Sequence, residues 1–185
     1  MANWAQTDYV IEGSKEILDL IEKAIEKHGV RPDSSDDWEG NILDTLGIEF
    51  ENDNNYMRGF IEDSTRLSDK SLSLYAEEAW GATDFRHVLE SNLPVKVYFQ
   101  VEEPGCEIYA TNDKDGKHFP DRYVVDMNYD GNWDTEYFHR KEDVMEYIQN
   151  RTDGKICTEE DIDKFNEEHE TGDDFISIHE VEIVD

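Results

Sequence analysis

Positive charge is what this chain has least of. Its 185 residues carry 17 Lys and Arg against 47 Asp and Glu, a formal net charge of −30. A surface of that sign repels phosphate backbones and anionic lipid, which argues against direct binding to DNA or to an anionic membrane. Cysteine is nearly absent. Cys106 and Cys157 form no C-x-x-C pair and no zinc spacing, so two reduced thiols are expected and no disulfide framework. No apolar run approaches the roughly 20 residues of a membrane span. The opening MANWAQTDYV lacks a basic region followed by an apolar stretch, and the expected location is the cytoplasm of a bacterial host cell. Also missing are G-x-S-x-G, a phosphate-cradling Walker loop, a dinucleotide fingerprint and H-E-x-x-H, and none of the six histidines pairs with another or with a cysteine at ligand spacing. No enzyme activity is expected.

What is present argues for a folded protein. Aromatic residues make up 11% and hydrophobic residues 37%, whereas disordered acidic chains are poor in aromatics. Solubility alone needs a net charge of only about 2–8, and the excess destabilises the compact state by self-repulsion. Three explanations compete: adaptation to high salt, cation binding, and binding of a basic partner, including mimicry of nucleic acid.

Periodicity gives the elements. TDYVIEG reads as a strand. SKEILDLIEKAIEKHG reads as a helix with Ser14 as cap and Ile17, Leu18, Ile21, Ala24 and Ile25 on one stripe. Trp38 to Leu46 suggests a short helix stopped at Gly47. RGFIEDSTRL and SLSLYAEEAW read as two strands, TDFRHVLESNLP as a helix capped by Thr83, and VKVYFQVEE and CEIYATN as strands about the Pro104-Gly105 turn. RYVVDMNYD and WDTEYF form an expected hairpin, KEDVMEYIQNR and TEEDIDKFNEEHE two helices, and FISIHEVEIV a last strand. The order predicts an α+β fold: a ferredoxin-like (split β-α-β), mainly antiparallel sheet with helices on one face, plus a C-terminal hairpin, two helices and a last strand. A single domain over 1–185 is expected, with a core at 1–118 and an extension at 119–185 that includes the acidic helix 158–170.

Two stretches carry candidate chemistry. DMNYDGNWDTEY opens like a calcium loop, offering Asp126, Asn128, Asp130 and Asp134 as weak candidate ligands. Position 12 is Tyr137 instead of the bidentate Glu, and the RYVVD flank reads as strand. The alternative is a hairpin tip, because Asp130-Gly131 is a strong hairpin signal. No other cofactor is expected. The second stretch is the helix with Glu159, Glu160, Asp161, Asp163, Glu167, Glu168 and Glu170, offset only by Lys164 and continued by Asp173 and Asp174. At a rise of 1.5 Å per residue it carries about one net charge per 3 Å, close to the roughly 3.4 Å spacing along one DNA strand. Lys at i+4 would gain ion pairs and is mostly missing. Asp33, Asp36 and Asp37, beside Glu39, form another acidic group near Trp38.

The segments ANWAQTDYVIEGSKEILDLIEKAIE (residues 2–26) and LSLYAEEAWGATDFRHVLESNLPVKVYFQVEEPGCEIYATNDKDG (72–116) resemble the YubB-like ferredoxin-like family of plasmid and phage proteins. That resemblance implies an α+β fold and a mobile-element source, and it offers no catalytic residues. The leading expectation is an acidic nucleic-acid mimic that inhibits a host nucleic-acid-binding defence protein, of anti-CRISPR or anti-restriction type, by occupying its basic channel. The acids from Glu159 to Asp174, with Asp33, Asp36 and Asp37, would bind that partner. The alternatives are a calcium-binding small domain using the 126–134 loop and a plain acidic or halophilic domain.

Overall fold

The computed structural model describes residues 3–28, 38–50 and 57–185. The fold is α+β, with a six-stranded sheet, a three-stranded sheet and five α-helices among the described residues. The chain divides into two compact units, Met1–Asp113 with Val184–Asp185, and Lys114–Ile183.

The first unit starts with β1 (Trp4–Glu12), whose alternation sends Ala5, Thr7, Tyr9 and Ile11 to a fully buried side and leaves Trp4, Gln6 and Asp8 exposed. α1 (Lys15–His28) buries Leu18, Ile21, Ala24 and Ile25 at the spacing of a single helical stripe. It is followed by α2 (Glu39–Thr45), β2 (Gly59–Ser68), β3 (Ser71–Ala79), α3 (Phe85–Asn92), β4 (Lys96–Glu103) and β5 (Ile108–Thr111). The sheet order is β2-β3-β1-β4-β5, and each of these pairs is antiparallel. A two-residue strand, Glu182–Ile183, takes the sixth place at the edge. The apolar sides of α1, α2 and α3 share one core with Leu72, Leu74 and Ala76 of β3 and Val97, Phe99 and Val101 of β4. Arg66 on β2 pairs with both Asp19 and Glu22 of α1.

The second unit contains β6 (Tyr123–Tyr129), β7 (Asn132–Phe138), α4 (Lys141–Arg151), α5 (Glu159–Glu168) and β8 (Phe175–Glu180), with the sheet order β7-β6-β8. Asp130 and Gly131 connect β6 to β7 with φ of +51° and +74°. Two positive φ values are what a tight two-residue hairpin turn requires, and Gly131 supplies one at no steric cost. Val125, Met127 and Ile176 of the sheet pack on Val144 and Ile148 of α4 and Ile162 of α5.

Local readings differ in two places. α3 begins at Phe85, and Thr83 serves it only through Oγ1, which accepts the Phe85 N–H at 3.2 Å. The expected last strand is broken at Val181, so that β8 pairs with β6 while Glu182–Ile183 lies at the edge of the six-stranded sheet.

Candidate functional site

α5 is built by its own ends. Thr158 Oγ1 accepts the Asp161 N–H at 3.1 Å, and Asp161 Oδ2 accepts the Thr158 N–H at 3.0 Å, a complete capping box. The Cys157 N–H donates to the same carboxylate at 3.1 Å, and these bonds lower the Asp161 pKa. Glu159 is paired with Lys141 at 2.6 Å and Glu168 with Lys164 at 3.9 Å. Ile162 is buried, and the Asn166 side chain makes two hydrogen bonds to the Ile176 backbone. Glu160, Asp163, Glu167 and Glu170 remain, all exposed and without an ion pair among the described residues. The 3-4 spacing of Glu160, Asp163 and Glu167 sets these three along one solvent-facing stripe of the helix, whereas α5 ends at Glu168, short of the expected 170, and Glu170 lies beyond it. Asp174 accepts the Gly131 N–H at 3.3 Å, and Asp173 is exposed, its carbonyl accepting from the Asn128 amide. Asp33, Asp36 and Asp37 lie outside the described residues.

The four candidate calcium ligands do not converge. Cross-strand partners share a face, and Asp134 is opposite Met127, on the core side of the sheet. There its carboxylate accepts from Tyr147 Oη at 2.5 Å and pairs with Arg151 at 3.2 Å. Burial and that hydrogen bond push the Tyr147 pKa up to about 12. Asp126 and Asn128 lie on the other face. Asp126 accepts from Thr135 at 2.5 Å, and Asn128 is buried with its amide on the Asp173 carbonyl at 2.9 Å. Asp130 sits in the turn. The strand's two-residue period splits the acids that the loop pattern had grouped. Among the described residues no group of three or more His, Cys, Asp or Glu is placed to hold a metal ion.

The face of the first unit's sheet opposite its helices presents a different acidic surface. The cross-strand register sets Glu102, Gln6, Glu77 and Phe60 in one row across β4, β1, β3 and β2, and Gln100, Asp8, Tyr75 and Asp63 in the next. Partial desolvation and the Glu102 charge raise the Asp8 pKa, and desolvation with the charges of Glu77, Asp8, Glu62 and Glu102 raises that of Tyr75. These carboxylates therefore lie within electrostatic reach of one another.

Beneath one end of this sheet lie two carboxyl groups that sequence reasoning missed. Glu39 and Glu78 are both 0% exposed. Glu78 Oε1 accepts from Tyr9 Oη at 2.7 Å and from the Thr83 N–H at 3.1 Å. Thr83 Oγ1 is 2.7 Å from Glu78 Oε1 and 2.6 Å from Glu39 Oε2. A hydroxyl has one hydrogen and can donate to only one of them. The second short contact needs a hydrogen from a carboxyl group, and the consistent chain runs from a protonated Glu39 through Thr83 Oγ1 to Glu78. Burial first, and then the Glu78 charge, raise the Glu39 pKa well above the usual range. Glu39 Oε1 and Glu78 Oε2 have no hydrogen-bond partner. A Cβ at Gly59 would stand 2.7 Å from the Glu39 carboxyl, so this crossing needs glycine. A signal for Glu78 was present: it continues the inward phase of Leu72, Leu74 and Ala76. Glu39 has no such signal.

No family model matches this chain, and no curated protein or solved structure matches it either. Among the described residues no helix is long and apolar enough to cross a membrane.

Proposed function

We propose that this protein is an acidic nucleic-acid mimic: a binding protein that occupies the basic nucleic-acid channel of a host defence protein, of the anti-CRISPR or anti-restriction kind, and comes from a phage or other mobile element. The observation that carries the reading is the α5 stripe of Glu160, Asp163 and Glu167, exposed and unneutralised while the other acids of α5 are engaged in its cap or in ion pairs. Carboxylates spaced along a helix stand where phosphates would, and their field speeds association with a basic surface. A ferredoxin-like arrangement of the first unit belongs to the same reading, supported by the order β2-β3-β1-β4 with a helix after β1 and after β3.

The charge is shared by both units. Lys114–Ile183 holds 21 acids against 8 Lys and Arg, a net of −13, which leaves −17 of the chain's −30 to the first unit. That even share favours a second reading, a generally acidic domain adapted to high salt. Binding to a purified nucleic-acid-guided nuclease or restriction enzyme, measured across a salt series, tests mimicry. The complex should weaken steeply with salt, compete with the nucleic acid, and weaken when Glu160, Asp163 and Glu167 are changed together to Gln. Salt-insensitive binding refutes mimicry, and unfolding in low salt without a partner selects the halophilic reading.

A further inference from the structure

Three of the four tryptophans meet at one end of the first unit's sheet. Trp4 on β1 is 40% exposed and packs on Phe60 of β2, with ring centroids 5.7 Å apart. Trp38 packs on the same Phe60 ring at 4.6 Å. The Arg58 guanidinium lies over both Trp38, at 5.7 Å, and Trp80, at 5.4 Å. Trp80 is 53% exposed and holds a φ of +62°, followed by Gly81 at +110°. A bulky residue in that region is strained, and strain of this kind persists where the surroundings enforce it. Here the Trp80 N–H is tied to the Asn3 carbonyl at 3.0 Å.

The enforcing structure is the buried carboxyl pair. Glu39 follows Trp38, Gly59 stands between Arg58 and Phe60, and Glu78 lies two residues before Trp80. The Glu39–Thr83–Glu78 bonds fasten the segments that display the aromatic rings, with no salt-accessible charge in the joint. Exposed rings, backbone strain and a perturbed buried acid thus coincide at one place, a combination typical of functional surfaces.

We propose that this aromatic end of the sheet is the anchor of a protein interface and takes an arginine-rich segment of a basic partner, whose guanidinium groups stack on Trp4 and Trp80 while Glu77, Glu102, Asp8 and Asp63 form the charged rim. Charge complementarity fixes the partner's chemistry. The rows next to Trp4 and Phe60 are acidic on the exposed side of β1, β2, β3 and β4. Arg58, lying over Trp38 and Trp80, shows that indoles of this cluster accept a guanidinium over their faces. Aromatic anchors inside a polar rim are the usual anatomy of an interface hot spot. The inference rests on the basic-partner reading and moves its anchor from α5 to this face.

The test is a titration of the intact protein with a short Arg-rich peptide and a Lys peptide of equal charge, observed at the indole N–H signals. The Arg peptide should shift Trp4 and Trp80 and leave Trp133, in the second unit, unmoved. It should bind more tightly than the Lys peptide. Trp80→Ala should weaken the Arg peptide roughly 2- to 5-fold and narrow the Arg–Lys difference. Salt-sensitive binding that moves only Trp133, or no indole at all, overturns the interface and leaves the acidic-binding reading standing. No binding of either peptide at low salt defeats the basic-partner reading itself. Indole shifts that follow protein concentration without peptide assign the face to a second copy of the chain and overturn the proposal. The wild-type titration decides these outcomes even if a tryptophan variant does not fold.

Discussion

Glu39→Gln should remove the pH dependence contributed by the buried pair. Both carboxyls are fully buried, and their hydrogen-bond donors are neutral: Tyr9, Thr83 and the backbone. Arg86 on α3, which feels the Glu78 charge, lies with its guanidinium over Phe99 at 4.5 Å and donates to the Asp185 carbonyl. The Glu39 pKa is raised on folding, so the folded state holds a proton that the unfolded chain releases near a pKa of about 4.3. The pair's contribution is therefore fully present below that unfolded value and is lost as pH rises towards the folded one. Within that window the slope is at most about 1.4 kcal/mol per pH unit. A loss of that size per unit is a large share of a typical domain's stability. Glutamine has the same shape, keeps a donor towards Thr83 Oγ1 and does not titrate. The stability of the variant minus that of wild type should therefore rise with pH. Urea unfolding at pH 5, 6, 7 and 8 measures the difference, followed by tryptophan fluorescence, because Trp38 adjoins Glu39. Comparing the two proteins cancels the repulsion among surface acids, which also weakens wild type as pH rises. A difference that stays flat with pH would refute the shared-proton assignment.

Thr158→Ala removes the cap of α5 and should cost about 1 kcal/mol, visible as faster amide exchange in α5 and a lower second-unit melting temperature. Millimolar calcium should leave the melting temperature unchanged and give no binding heat, because Asp134 faces the core side of its sheet while Asp126 and Asn128 face the other. Gly59→Ala should destabilise the first unit by about 1–3 kcal/mol, as overpacking does, since the new methyl would meet the Glu39 carboxyl at 2.7 Å. A neutral Gly59→Ala would show that α2 is free to shift away from the sheet.

The helices and strands were legible wherever one apolar period dominated. Leu18, Ile21 and Ile25 announce α1, Leu72 and Leu74 announce β3, and Asp130-Gly131 announces the β6–β7 turn. The acids were less legible, because a linear pattern does not say which face a residue takes until its strand is paired. Asp126 and Asp134 are eight residues apart in a calcium-like loop, yet Asp134 stands opposite Met127 and not opposite Asp126. Glu102 and Glu77 are distant in sequence and join one row only because β1 lies between β4 and β3. Trp80 and Tyr137 both stand at strand-like positions and are 53% and 40% exposed. An aromatic residue in an alternating strand carries no mark of which side is covered. Glu39 was invisible for another reason: in the sequence it is one more acid in an acidic stretch.

The chain's acids work in two regimes that salt can separate. Glu160, Asp163, Glu167 and the sheet-face row act through solvent, where 0.15 M salt screens beyond about 8 Å. Glu39 and Glu78 act in contact inside the core, where mobile ions do not reach. Raising the salt should therefore abolish capture of a basic partner while leaving the pH-dependent difference between wild type and Glu39→Gln intact. Unfolding series repeated in low and high salt check this. If salt erased both effects together, the proton assigned to Glu39 would be a response to the protein's overall field and not to its neighbour Glu78. The buried pair would then have no claim to be the fastening beneath Trp38 and Trp80.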